Sequence, residues 1–293
     1  MCGITGLVLS NKNRTASDYQ EIKTQFSKAL VSAQSRGKHA AGLYLINKDG
    51  EHYYYRAAVP ANVLVEQPAY DAVLSHLGPN TIAIVGHTRF ATTGSPSVVE
   101  NNHPIYDPPL IGVHNGVITN HEQLEHKYGS VAEVDSATIL SLLNSRLFGD
   151  ATLSVADIQD AMPEVRGSWA IAVADIRTNG IFLARNDASP MKLTTQPKQG
   201  LLWFGSTVQI LSDGLGVNVP DYNLPKNTVV RLTRKSAEKG TIDARRVSNP
   251  ETYTYHGKVS KTSPSDRYSA SEQWQMFPEF FDEGAATARA LGK

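Results

Sequence analysis

Cysteine is nearly absent from this chain: Cys2 is the only one among 293 residues. A single thiol excludes an internal disulfide, so nothing in the sequence calls for an oxidising compartment. Net charge is absent too, with 28 Lys+Arg balanced by 28 Asp+Glu. That balance gives no long-range electrostatic reason to expect nucleic acid or an anionic membrane surface as the main partner. Long apolar runs are missing, and no stretch approaches the ~18 residues of a membrane-spanning helix. Residues 1–10 lack a basic segment followed by a long apolar one, so no secretory signal is read there. The expectation is a cytoplasmic protein with no membrane attachment. Internal repeats are also lacking.

What is present has the texture of an ordinary globular protein, 41% hydrophobic and 19% charged. Residues 3–9 read as a short buried strand with Cys2 at its mouth. Residues 17–34 read as an amphipathic helix, because Ile22, Phe26, Ala29, Leu30 and Ala33 share one face. Strand-like runs at 41–47 and 52–59 flank the turn Asn47-Lys48-Asp49-Gly50. A helix is expected around 62–77, a strand at 81–86, and another at 110–114 ending in Asn115-Gly116. Residues 135–148 read as a helix capped by Asp135 or Ser136. A hairpin joins 168–176 to 181–186 through Thr178-Asn179-Gly180, and strands follow at 201–206 and 228–233. Hairpins interrupted by a few long helices predict antiparallel sheets with helices outside. Runs apolar on both faces, 82–85 and 170–174, predict sheets covered on both sides. Beyond residue 235 the composition shifts. Residues 256–272 are polar and read as weakly structured, and 273–291 carry Trp274, Phe277, Phe280, Phe281 and an Ala-rich helical stretch. The predicted division is a domain over 1–235 and a C-terminal extension over 236–293.

The position of Cys2 carries most of the chemistry. Once Met1 is removed, thiol and α-amine share one carbon. The amine, with an ordinary pKa of ~7.7–8.0, can act as the base for a thiol of ~8.5. A nucleophile with its own base needs no separate His/Asp relay. Four further segments stand out, each with a bland reading beside the functional one. In Gly86-His87-Thr88-Arg89-Phe90-Ala91-Thr92-Thr93-Gly94, Arg89 offers a planar fork for a carboxylate, or is simply a loop-entrance arginine. In Asn102-His103-Pro104, with His114 and His121 nearby, no spacing matches a metal site, and each histidine reads as a hydrogen-bonded structural residue. Asn115-Gly116 is a turn or an oxyanion hole, with the Asn amide and the Gly N–H as donors. Asp135 is a helix cap or the partner of a substrate ammonium. Thiolate, oxyanion hole, Arg and Asp together describe a free amino acid with an acyl side chain, and glutamine is the obvious candidate.

These motifs resemble the class II glutamine amidotransferases, the N-terminal-nucleophile domains of glucosamine-6-phosphate synthase, amidophosphoribosyltransferase, asparagine synthetase and glutamate synthase. The likeness rests on Met1-Cys2-Gly3-Ile4, Arg36-Gly37-x-x-Ala40-Ala41-Gly42, the Gly86–Thr92 segment, His114-Asn115-Gly116-Val117-Ile118-x-Asn120-His121-Glu122 and Asp135-Ser136. It is greatest for the first of these enzymes, and continues through Arg166-Gly167-Ser168-Trp169-Ala170 and Ala184-Arg185-x5-Met191 to about residue 235. The resemblance implies an α+β fold, a four-layer αββα sandwich. It implies Cys2 as nucleophile, Asn115 and Gly116 as the oxyanion hole, and Arg89, Thr92 and Asp135 gripping glutamine, with Phe90 and His103 beside them in the substrate-binding set. No cofactor and no metal are expected.

Two departures stand out. Where the family has Asp in Arg-Gly-x-Asp, this chain has His39. The residues after 235 carry no phosphosugar isomerase domain, phosphoribosyl-binding motif or ATP-pyrophosphatase signature. The reading is a stand-alone glutaminase subunit that hydrolyses glutamine through a Cys2 thioester and passes ammonia to a synthase on another chain, with homo-oligomerisation left open. The alternative is a structural or regulatory module that keeps the fold, lacks useful catalysis and binds a partner protein.

Overall fold

The computed structural model describes residues 1–247 and 272–275. β1 (Gly3–Leu9) runs between β4 (Thr81–Arg89) and β10 (Leu201–Gly205). With β2 (Ala40–Asn47), β3 (His52–Ala57), β9 (Lys192–Gln196) and β11 (Tyr222–Asn223) they form one sheet, ordered β11-β9-β10-β1-β4-β2-β3. The second sheet comprises β5 (Ile105–Asp107), β6 (Leu110–Ile118), β7 (Gly167–Asp175), β8 (Ile181–Arg185), β12 (Thr228–Leu232), β13 (Thr241–Arg246) and β14 (Glu272–Gln275). Its order is β14-β13-β12-β8-β7-β6-β5, and neighbours in both sheets pair antiparallel.

Side-chain alternation along each strand explains the layering. On β1, Ile4 and Val8 point between the sheets, where they meet Tyr44, Val85, Val113, Ala172 and Phe204. Leu7 and Leu9 point the other way, against Phe26 and Leu30 of α1 (Ala16–Ala33) and Leu211 of α7 (Val208–Leu215). The far face of the second sheet buries Ile171 and Phe182 under α5 (Asp135–Asn144) and α6 (Val155–Ala161). The result is helix, sheet, sheet, helix, the α+β sandwich the motifs imply. α1 starts where a capping box predicts it, with Thr15 accepting from the Asp18 N–H and Asp18 from the Thr15 N–H.

Several elements differ from the sequence reading. The helix expected over 62–77 is two short ones, α2 (Ala61–Leu64) and α3 (Pro68–Leu74). Pro68 opens α3, and the residue before a proline is pushed out of the helical region. β4 extends to Arg89 rather than stopping at Gly86. β6 does not end at His114: β7 pairs along it from Leu110 to Ile118, so Asn115-Gly116 lies inside a strand and is not a turn. Neither Asp135 nor Ser136 caps α5. The cap position is Val134, and the Asp135 carboxylate accepts instead from the Ile118 N–H, 2.8 Å away. Residue 235 falls within α8 (Arg234–Lys239), and β13 beyond it pairs with β12. Residues 256–271, Phe277, Phe280, Phe281 and the expected terminal helix lie outside the described residues; Trp274 is on β14, opposite Ile242.

Candidate active site

The two sheets meet the site from opposite sides. From the first, β1 begins at Gly3, which pairs with Thr88 on β4, so Cys2 lies beside the residues where β4 ends. The Phe90 N–H points at Cys2 Sγ across 3.4 Å. Arg36, after α1, donates from Nε to the Cys2 carbonyl at 2.7 Å. From the second sheet, β6 brings His114, Asn115 and Gly116, and α5 brings Asp135 and Ser136. Cys2, Arg89, Phe90, Thr92, His103, Gly116 and Asp135 line one pocket. Its enclosed space is about 10 Å3, room for at most one water.

The predicted set therefore converges, with one qualification. Asn115 precedes Gly116 but does not line the pocket; its side-chain amide is buried, and neither Nδ2 nor Oδ1 has a hydrogen-bond partner among the described residues. Gly116 is required where it stands. Its φ is 153°, and a Cβ there would lie 1.8 Å from the Ser168 carbonyl oxygen. Thr93, His114, Val134 and Ser136 also line the pocket and had no assigned role. Thr93, His114 and Ser136 sat within segments already singled out, so their positions were legible; Val134 is the residue before Asp135.

Arg89 is buried and engaged. Nη1 donates to Asn102 Oδ1 at 2.8 Å and Nη2 to the carbonyls of Thr93 and Gly94, three acceptors for five N–H donors. Asn102 in turn donates to the Pro96 carbonyl at 2.7 Å, so Arg89 and Asn102 together fold the loop after β4. Asp135 is held by the Ile118 amide, with Ser136 Oγ 3.4 Å from its Oδ1.

Beneath the pocket lie three buried histidines. His87 donates from Nε2 to the His114 carbonyl at 2.9 Å, and its ring is 4.0 Å from that of His103. His114 Nδ1 is 2.8 Å from Ser136 Oγ. Burial lowers all three below the usual imidazole range, His87 to about 3. They are neutral at neutral pH. No group of three His, Cys, Asp or Glu suited to a metal occurs among the described residues.

Burial pushes the Cys2 thiol up. The Phe90 N–H and the Arg89 charge pull it down, and the Asp135 charge raises it. The surroundings alone do not ionise this thiol; a base must take its proton.

A family model described as a glutamine amidotransferase domain matches residues 87–213. The glutamine–fructose-6-phosphate aminotransferase (isomerizing) of Escherichia coli K12 is 31% identical over 196 residues, covering 65% of this chain and 29% of that protein. The same enzyme from Pectobacterium atrosepticum is also 31% identical over 196 residues, covering 65% of this chain and 30% of that protein. This chain thus spans under a third of the length of either relative. Among solved structures, a glutamine phosphoribosylpyrophosphate amidotransferase from B. subtilis superimposes with a TM-score of 0.63 at 18% identity, over 84% of this chain and 49% of that one, a likeness of fold. The chain is thus similar to glutamine amidotransferases over residues 87–213 and shares the fold of a solved one.

Proposed function

We propose that the domain hydrolyses glutamine to glutamate and ammonia through a thioester on Cys2. The observation that carries the reading is that the sole cysteine shares one pocket with Arg89 and Asp135. Removal of Met1 frees the Cys2 amine, which takes the thiol proton. Sγ then attacks the side-chain carbonyl carbon of glutamine. Charge developing on the carbonyl oxygen is received by the Asn115 amide and the Gly116 N–H. The tetrahedral adduct collapses, the protonated amine returns its proton to the leaving nitrogen, and ammonia departs. Water, deprotonated by the same amine, cleaves the thioester, giving glutamate and the free thiol. Arg89 takes the substrate α-carboxylate and Asp135 its ammonium, with Phe90, Thr92 and His103 shaping the pocket. The raised thiol supports a mechanism with an adjacent base rather than a resting thiolate.

In this proposal the enzyme acts in the cytoplasm as its own subunit and delivers ammonia to an acceptor protein on another chain. The test is glutaminase turnover, with intact-mass analysis of the N-terminus. Loss of Met1, hydrolysis abolished in Cys2→Ala, and one-to-one labelling of Cys2 by 6-diazo-5-oxo-norleucine are the expected results. Turnover by a protein that retains Met1, or normal turnover in Cys2→Ala, overturns the mechanism. Ammonia delivery is tested by co-purification and glutamine-dependent synthesis with the captured protein.

A further inference from the structure

The segment after α1 touches both halves of the reacting apparatus. Arg36 holds the Cys2 carbonyl. Gly37 packs so closely on the end of β4 that a Cβ there would lie 2.4 Å from the Arg89 carbonyl carbon and 2.5 Å from Phe90 N. His39 then makes three contacts with the three residues that follow one another out of the strand. Its N–H donates to the Arg89 carbonyl at 3.0 Å, its ring lies 5.0 Å from the Phe90 ring, and its Nδ1 accepts from the Ala91 N–H at 2.9 Å. The last strand pair in register is Ala40↔Arg89. His39 therefore carries the β2–β4 ladder on past the end of β4, with a ring nitrogen where a backbone carbonyl would have been. The Ala91 amide it holds lies between Phe90, whose N–H faces Cys2 Sγ, and Thr92, which lines the pocket.

We infer that His39 is a positioning residue that sets the course of the 90–94 loop through its Nδ1. This rests on the proposed glutaminase reading. An amide N–H can be accepted only by a nitrogen with a free lone pair, so the ring must carry its single proton on Nε2. Protonation turns Nδ1 into a donor facing a donor, and the clamp opens. A carboxylate at this position, the residue the motif Arg-Gly-x-Asp would supply, can accept the same amide, so the imidazole Nδ1 takes over the acceptor's part.

Three variants and two measurements test this. His39→Ala removes the acceptor. His39→Asn replaces Nδ1 with an amide oxygen at the same place, and His39→Asp with a carboxylate; neither becomes an imidazolium. The expected result for His39→Ala is a KM for glutamine raised about three- to tenfold, with kcat changed less, as for one lost neutral hydrogen bond. Asn and Asp restore KM. Hydrogen exchange at the Ala91 amide is faster in His39→Ala and protected in His39→Asn, whether or not the protein turns over glutamine. Unchanged exchange in His39→Ala, or failure of Asn to rescue KM and exchange, overturns the inference. Protection that follows the acceptor in a protein without glutaminase activity leaves the clamp standing and removes the proposed function instead.

Discussion

The two sides of the pocket are built by different means. The first sheet contributes its share at strand ends: Cys2 just before β1, and Arg89 with the loop after it at the end of β4. Phe90 there is 46% exposed, and the loop keeps its shape through Arg89, Asn102 and His39. The second sheet contributes from inside. Asn115 is 1% exposed, His114 2% and Asp135 6%, and β6 is paired with β7 on both sides of Gly116. One side is held by a few hydrogen bonds, the other by a packed core. Substitutions on the second-sheet side should therefore act at the site against a fixed frame, and those on the first-sheet side should also loosen the loop.

Asn115→Ala gives the largest effect in this comparison. In the proposed mechanism this removes one oxyanion donor, and kcat is expected to fall by ~10²–10³. Thermal stability should change little, because the Asn115 amide has no hydrogen-bond partner to lose. Steady-state kinetics and a melting curve of the same preparation check both halves. A rise in KM alone would show that Asn115 holds substrate, not charge; a large loss of stability would erase the difference between the two sides.

Arg89 and Asp135 test substrate gripping from each sheet. Asp135→Asn keeps an acceptor for the Ile118 N–H but removes the charge, so it should lower kcat/KM by ~2–4 kcal/mol with an unchanged melting temperature. Arg89→Lys keeps a cation but loses the fork that reaches Asn102 and the loop carbonyls, so it should lower kcat/KM similarly and also loosen the loop. Equal stability losses in the two variants would mean that the first-sheet side is as rigid as the second.

Much of this arrangement is legible in the residues themselves. The Cys2 position, the spacing of Ile22, Phe26, Leu30 and Ala33, and the Asn-Gly turn before β8 each express a local preference that the fold keeps. Illegible features depend on partners far away in sequence. Asn115-Gly116 looks like a turn until β7 is known to run beside it, and Asp135 looks like a cap until Ile118 is found to offer its amide. The buried histidine layer is of the same kind. His87 reads as one residue of a polar motif, yet its neutral state is imposed by burial under His103 and His114. His39 looked like the loss of a carboxylate; its acceptor nitrogen shows what the position still supplies.

Between the two sides, the histidine layer sets a limit in acid. His87 takes up no proton in the folded protein until about pH 3, whereas an unfolded histidine does so near ~6.5. The unfolded chain thus binds more protons across that window, and stability falls as pH drops through it, by up to about 1.4 kcal/mol per pH unit for each such histidine. Above about pH 6.5 the contribution is flat. Chemical denaturation at several pH values should show this slope. It should be shallower in His87→Gln, which does not titrate and can donate to the same His114 carbonyl. Identical slopes would remove His87 as its source.

The smallest expected effect is at the far edge of the second sheet. β14 pairs with β13 over Thr241↔Gln275 to Ala244↔Glu272, and β13 joins the sheet through β12. A four-residue edge strand adds few ladder bonds and covers one exposed edge, so its removal should cost on the order of 1 kcal/mol. In a domain of this size that is a melting-temperature decrease of about 2–4 °C. Truncation after residue 250 removes β14 while leaving β13 and the site residues in place. If the extension folds back on its own sandwich, the truncated protein melts lower and turns over glutamine at the full rate, since the second-sheet frame around Gly116 is five strands away in the order β14-β13-β12-β8-β7-β6-β5. Unchanged melting with loss of complex formation would assign the extension to a partner. A large loss of glutaminase activity would show that the rigidity of the second-sheet side depends on its edge, and that would end the contrast between its two ends.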